Sequence, residues 1–354
     1  MMNYRDEFKN IIENIKINQT TPPEEFNNSM QPMIQFIQKN IPAALYKFRE
    51  CTEHNLDAFD KNEIWLSKAS NFNDLHDSLL FFDKTAMLKQ AQQRLSPENI
   101  PAIFEYLKQS PAIIDQYNFT NPDIHTAITD KLNTLDSQTF SNMIQQLSSN
   151  IDMFLESYFC NLKNEIRNRT KMACFSENIK SPLMWAHYAD NHKGFAIEYD
   201  FRGNDISQCA NCRNRSCNNI KWAAIYPMIY SDTRFDATQY GKWYIEHCMK
   251  IYLGIREETV FDDEFLFTKA ALHKSNDWEY EKEWRIICST PNTATEQKDC
   301  YPIKKKPVAI YLGSQISDIH RKILTHIADA NGIAKFQMYV DDYASKYELN
   351  YNPL

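Results

Sequence analysis

The residues best suited to chemistry are the glutamates of Asn276-Asp277-Trp278-Glu279-Tyr280-Glu281-Lys282-Glu283-Trp284-Arg285-Ile286-Ile287. Along a strand, side chains alternate between two faces. On that period Glu279, Glu281, Glu283 and Arg285 share one face. Trp278, Tyr280, Trp284 and Ile286 share the other with Lys282. Carboxylates crowded on one face raise each other's pKa. A protein keeps such a face in solvent, pairs it with a cation such as Arg285, or lines an active site with it.

Three further groups carry chemistry. Cys174-Phe175-Ser176-Glu177 reads as a strand closed by a serine, followed by a helix through Leu183-Met184-Trp185-Ala186-His187-Tyr188-Ala189 and a turn at Gly194. Met184, His187 and Tyr188 are spaced to share one helix face. These rings either stack a heteroaromatic ligand or pack in the core, with the imidazole satisfied by a carbonyl. In Leu45-Tyr46-Lys47-Phe48-Arg49, Lys47 and Arg49 share a strand face. Arg49 either grips a phosphate bidentately or makes a structural ion pair. A second strand, Glu63 to Ser67, leads into the turn Asn71-Phe72-Asn73-Asp74, with Phe72 as apolar anchor. Lastly, Cys209-x2-Cys212-x4-Cys217 has the spacing of part of a zinc site, for which Cys160, His247 or Cys248 would supply the fourth ligand. The alternative is a loop of free thiols, their pKa values lowered by Arg213, Arg215 and Lys221.

The elements that must position these groups follow from periodicity and punctuation. Residues 1–41 form an N-terminal helical segment broken at Thr21-Pro22-Pro23. Residues 42–82 hold the first part of a β-containing core: strands near 45–49 and 63–67, with a short helix between. Residues 83–170 read as a helical insertion in which Pro97, Pro111 and Pro122 mark helix starts. Residues 171–354 complete the core, with strands near 172–176, 194–200, 284–288, 308–312, 336–340 and 347–351 and helices over 238–257 and 317–331. Strands early and late around a helical block predict an α+β fold rather than a regular βαβ alternation.

Composition removes several classes. The chain has 354 residues, of which 46 are acidic and 39 basic, for a net charge of −7, so it is no basic sleeve for nucleic acid. Its six glycines are too sparse for a G-x-G-x-x-G turn, a P-loop or a G-x-S-x-G elbow; the closest two, Gly194 and Gly203, stand nine positions apart. No H-E-x-x-H occurs among nine histidines. Nine cysteines form no dense disulfide framework. The N-terminus carries no apolar run fit for a signal peptide, and no uncharged apolar stretch is long enough for a membrane helix. The expectation is a cytoplasmic, reducing-compartment protein that engages no membrane.

Taken in order, LYKFR, IWLSKASNFND, CFSENIKSPLMWAHYADNHKGFAIEYDF, WEYEKEWRII and AIYLGSQIS resemble domain-of-unknown-function family 2971. The marks of that bacterial family are an FND turn, an M-W-x-H-Y-A helix and an E-K-E-W-R strand. The resemblance spans roughly residues 44 to 350. Leu75 stands where the family often has proline after FND. Genes of this family are often associated with phage defence, which implies a defence effector or toxin.

The order of early arginine, strand-end serine and Glu-x-Glu is also similar to the arginine-serine-glutamate class of ADP-ribosyltransferases. That resemblance implies a mixed β core of that fold, enlarged by the helical insertion. It implies NAD as substrate, with transfer of ADP-ribose to a macromolecule, protein or nucleic acid, or plain NAD hydrolysis. Arg49 matches the arginine and would bind the pyrophosphate. Ser176, with Ser67 as its rival, matches the serine. Glu283 would stabilise the oxocarbenium-like ribose and Glu281 would orient or deprotonate the acceptor. His187 or Tyr188 would stack nicotinamide, and Trp185 would be a further cofactor-binding residue. Two other classes remain open: a non-enzymatic defence sensor that binds through the insertion, and a metal-dependent nuclease using the glutamate face with Asp74 or Asp77.

Overall fold

Capping and proline placement set the first two helices. Asn3 accepts a hydrogen bond from the Arg5 backbone at the start of α1 (Tyr4–Glu13), and Pro23 opens α2 (Pro23–Asn40). The computed structural model describes residues 3–94 apart from 19, parts of 96–168, then 170–203, 223–252, 260–289 apart from 262 and 264, and 300–354. The chain is an α+β fold with a mixed sheet. Its strands are β1 (Leu45–Arg49), β2 (Glu63–Lys68), β3 (Thr170–Ser176), β4 (Phe195–Tyr199), β5 (Ala223–Pro227), β6 (Ile229–Ser231), β7 (His273–Ser275), β8 (Glu283–Ser289), β9 (Cys300–Lys304), β10 (Ala309–Leu312), β11 (Ala334–Val340) and β12 (Leu349–Pro353).

Ten of these strands form one sheet in the order β12-β11-β10-β4-β1-β3-β2-β9, while β8 lies along the other edge of β3 and carries β5 beyond it. β6 and β7 form a separate parallel pair. Between β1 and β2 the chain turns through α3 (Glu53–Asp60), whose Thr52 cap accepts from Asn55. The described start of the insertion is α4 (Lys84–Arg94), packed on α6 (Thr238–Tyr252); most of the insertion lies outside the described residues. Three more helices are α5 (Pro182–Tyr188), α7 (Leu266–Ala271) and α8 (Asp318–Asn331). Among the described residues no helix is long and apolar enough to cross a membrane.

The sheet forks at β3. β8 covers one edge of β3 along its whole length, from Thr170 opposite Ser289 to Ser176 opposite Glu283. On the other edge β2 pairs only at Lys171 and Met172, and β1 only where Tyr46 meets Ser176. This register leaves residues 173–175 without a partner strand on that edge, and a cleft opens there. One face of β3 and β8 buries Phe175, Trp284 and Ile286 in the main core. The other presents Met172, Cys174, Ser176, Glu283 and Arg285 towards the cleft.

The strand expected over 276–287 is corrected. Residues Asn276–Glu281 form a 3₁₀ turn, and β8 begins only at Glu283. The Ser275 side chain accepts from the Asp277 backbone, and Lys282 takes left-handed backbone at φ 46°. Asn and Asp side chains offer such local bonds in place of a ladder. Glu283 and Arg285 do share a face, opposite Trp284 and Ile286. Glu281 reaches the same face through the turn, Glu279 faces solvent, and Trp278 and Tyr280 are half-buried rather than core.

The N-terminal helices are part of the same fold. Phe8 and Ile12 of α1 and Met33 and Phe36 of α2 pack with Met228, Ile229 and Ile287. Arg5 of α1 donates to the carbonyls of Met228 at 2.8 Å and Glu283 at 2.9 Å and pairs with Glu177 at 2.6 Å. Glu177 also accepts from Trp284 at 2.7 Å and from Tyr4. Replacing Arg5 by alanine removes a charged donor from two buried carbonyls and breaks the ion pair with Glu177. We expect Arg5→Ala to cost about 3 kcal/mol in urea denaturation; a change within about 0.5 kcal/mol, the size seen for ordinary surface substitutions, would contradict this anchoring role.

Candidate active site

The cleft at the fork has a volume of about 360 Å³, within the range of small-ligand sites. β1 contributes Lys47 and Arg49, β2 contributes Ser67, and β3 contributes Cys174 and Ser176. Asn73 and Asp77 come from the turn after β2, and His187 and Tyr188 from α5. Lys274 of β7, Glu281 of the 3₁₀ turn, and Glu283 and Arg285 of β8 complete the wall. Arg49, Ser67, Ser176, His187, Tyr188, Glu281 and Glu283, all singled out from the sequence, therefore line one cavity. Trp185 does not. It is fully buried, donates from Nε1 to the Ile179 carbonyl at 2.7 Å, and meets the Phe48 ring edge-on at 5.2 Å. Cys209, Cys212 and Cys217 lie outside the described residues. Among the described residues no three His, Cys, Asp or Glu side chains are grouped to hold a metal ion.

A chain of alternating charges crosses the floor. Arg285 has no solvent exposure and uses all five N–H donors. Nε and one terminal nitrogen bond Glu283 at 2.5 and 3.3 Å. Asp77 receives two bonds at 2.8 and 2.5 Å, and the Ala271 carbonyl one at 2.7 Å. Lys274 Nζ then bridges Glu283 at 3.2 Å and Glu281 at 2.6 Å. The far oxygen of Glu281 accepts from the Tyr188 hydroxyl at 2.5 Å, which accepts from Asn73 at 3.3 Å.

This arrangement separates the two glutamates. Burial pushes a carboxyl up, but Arg285 and Lys274 outweigh it and hold Glu283 well below the ordinary carboxylate range. Burial and the charge of Glu283 push Glu281 up to about 7, against the pull of Lys274 and Tyr188. Burial opposes the Lys274 ammonium as well, yet the two glutamates outweigh it and raise its pKa. Neither Lys274 nor Asp77 can be recognised as part of this chain from local spacing. Asp77 is bound to Arg285 through both oxygens, so an oxygen-held metal there would have to displace a buried guanidinium.

The serines and Arg49 differ in what they leave free. Ser176 is buried and donates to the Glu281 carbonyl at 2.6 Å while accepting from the Asn178 backbone, so it pins the turn that carries Glu281. Ser67 lines the cleft, and its hydroxyl makes no hydrogen bond among the described residues. Arg49 is half-buried, its guanidinium makes no hydrogen bond or ion pair among the described residues, and burial lowers its pKa. Lys47 donates to the Cys174 carbonyl at 3.3 Å and lies over the Phe175 ring; burial, then Arg49, hold its pKa well down. Two basic side chains, neither in an ion pair among the described residues, thus face the cleft beside the paired glutamates. The end of β1 is braced from behind: a Cβ on Gly194 would stand 2.1 Å from the Arg49 carbonyl, so glycine is required there. His187 is exposed at the rim, 6.4 Å from the Tyr280 ring.

Among the described residues, one cleft thus gathers an arginine without an ion pair, a serine hydroxyl without a hydrogen bond and two carboxylates with separated pKa values, features that make it the candidate site. Residues 184–286 match a family described as "Protein of unknown function (DUF2971)". The matched stretch holds α5, Lys274, Glu281, Glu283 and Arg285; Arg49, Ser67, Asp77 and Ser176 lie before it. No curated protein and no solved structure matches the chain.

The pKa separation gives a stability signature. A carboxyl raised in the folded state stabilises fully below its unfolded pKa of about 4.3, and that contribution is lost as pH rises through its folded value. Wild type should therefore lose stability relative to Glu281→Gln between about pH 4.3 and 7, by chemical denaturation at stepped pH. A difference that stays flat across that window would contradict the assignment.

Proposed function

We propose that the chain is an NAD-consuming enzyme that breaks the nicotinamide–ribose bond, passing ADP-ribose to a macromolecule or to water. The observation that carries this reading is Arg49: a cation with no ion pair among the described residues, in the cleft that also holds Glu281 and Glu283. A half-buried guanidinium without a counter-ion there is a ready seat for a ligand anion. A pyrophosphate suits it, and the chain has no glycine-rich loop to do that work instead.

Cleavage builds oxocarbenium-like positive charge on the ribose, which a nearby carboxylate stabilises as in glycoside cleavage. The nicotinamide leaves as a neutral base with the bonding electron pair. Ser67, with its hydroxyl free, fits a ribose contact better than Ser176, which acts through the Glu281 turn. His187 and Tyr188 stand at the rim, where a planar ring would pass. The likeness to the ADP-ribosyltransferase fold rests on the order of arginine, serine and Glu-x-Glu along the chain, and a role as phage-defence or toxin effector rests on the family resemblance.

The test is nicotinamide release by purified protein, with and without cell lysate as acceptor. We expect Arg49→Ala to raise KM for NAD roughly tenfold or more, as loss of a charge-assisted contact does. Glu283→Gln and Glu281→Gln should abolish release in folded protein. A folded wild type that neither binds nor cleaves NAD would overturn the reading. In-cell activity that survives Glu283→Gln would favour a non-enzymatic sensor.

A further inference from the structure

The two glutamates of the cleft are not held alike, and Lys274 is the reason. Its Nζ touches Glu281 Oε2 at 2.6 Å and Glu283 Oε2 at 3.2 Å, and lies 4.7 Å from the Trp278 ring centre. Glu283 has a second cation, Arg285, on both oxygens. Glu281 has none: among the described residues no other cation lies at ion-pair distance, and its remaining oxygen meets only the neutral Tyr188 hydroxyl. The chain reads Asp77, Arg285, Glu283, Lys274, Glu281 in alternating sign and ends in a phenol. A proton placed on Glu283 would weaken two ion pairs, whereas one placed on Glu281 weakens a single pair.

We propose that Lys274 is a positioning residue that divides the work of the two carboxylates: it helps fix Glu283 as a permanent anion and leaves Glu281 as the group that exchanges a proton with the substrate. In the reaction proposed above, the acceptor oxygen bonds the ribose carbon as the carbon–nitrogen bond breaks. The electron pair leaves on nicotinamide, and the acceptor's proton passes to Glu281. The identity of that acceptor rests on the NAD reading; the division of roles rests on the contacts.

Other titratable groups face the pair from every surrounding element. They are Tyr188 of α5, Asp77 of the turn after β2, Lys47 of β1, Cys174 of β3, Tyr230 of β6, Arg285 of β8 and Tyr280 of the 3₁₀ turn. Cys174 bonds Glu283, and Tyr230 accepts from the Glu283 backbone at 2.8 Å. Burial and the neighbouring Glu283 charge, which bring Glu281 up to about 7, agree with this division.

Carbon-13 NMR of protein labelled at the glutamate carboxyls reads each protonation without substrate. Wild type should show one carboxyl titrating near neutral pH, absent from Glu281→Gln. Lys274→Met should move that midpoint up by about 1–3 pH units, the size of one lost opposite charge, and Lys274→Arg should return it close to wild type. Lys274→Gln, which keeps a donor, serves where the methionine variant fails to fold. The acid limb of NAD cleavage should follow the same midpoints. Absence of a Glu281-dependent titration, or a midpoint indifferent to both neutral Lys274 variants, overturns the proposal. Cleavage whose acid limb ignores Lys274 also overturns it and leaves the reaction standing. The expected titrations in a protein that does not cleave NAD reject the reaction and leave the division of roles standing.

Discussion

The Arg285 guanidinium is the interaction on which the rest of the cleft depends. It is fully buried and joins three elements that are distant in sequence: Asp77 after β2, Glu283 within β8 and the Ala271 carbonyl at the end of α7. Taking such a group out of water costs several kcal/mol, which only well-formed partners offset. Its five N–H groups all have partners, so the charge is tolerated and the three elements are held in one geometry. The Phe72 ring centre lies 5.5 Å from the guanidinium carbon and gives it a cation–π contact from the turn after β2.

From that anchor, charge alternates outward through Glu283 and Lys274 to Glu281, where Tyr188 and Asn73 close the series. The basic side chains on the other wall, Arg49 and Lys47, make no ion pair with this network among the described residues, and β1 pairs with β3 only at Tyr46. A forked sheet thus does two things at once. It opens a cavity in the middle of a hydrogen-bonded surface, and it keeps a partnerless arginine apart from carboxylates that would otherwise neutralise it. The N-terminal helix contributes from outside, since Arg5 holds the carbonyl of Glu283 while Arg285 and Lys274 hold its side chain.

Much of this was legible in the sequence where local chemistry and long-range packing agree. β1, β2, β3 and α5 carry clear alternation or capping; Ser181 accepts from Met184, and Pro182 opens the helix. Arg49, Ser176, Glu281 and Glu283, grouped by the ADP-ribosyltransferase resemblance, line one cleft, but the bond of Ser176 to the Glu281 carbonyl is a tertiary fact no local pattern shows. The stretch 276–281 read as a strand because Trp, Glu and Tyr alternate in it, while the Ser275 and Asp277 side chains favour a turn. Lys274 sits in a three-residue strand with no pattern of its own. Its importance comes from neighbours seven and nine positions on, brought back by that turn. Trp185, expected among the cofactor-binding residues, instead donates its indole N–H to the Ile179 carbonyl and buries its ring in the core.

The central claim is that Arg49 and the glutamate pair act on one ligand across the fork. The most direct measurement is a crystal structure of the chain with NAD bound, or with ADP-ribose if NAD turns over. We expect the pyrophosphate on the Arg49 guanidinium and the nicotinamide-side ribose beside Glu283, with Glu281 facing the open side of the ribose carbon where an acceptor would enter. A bound dinucleotide that leaves Arg49 untouched, or one seated away from the fork, would contradict it.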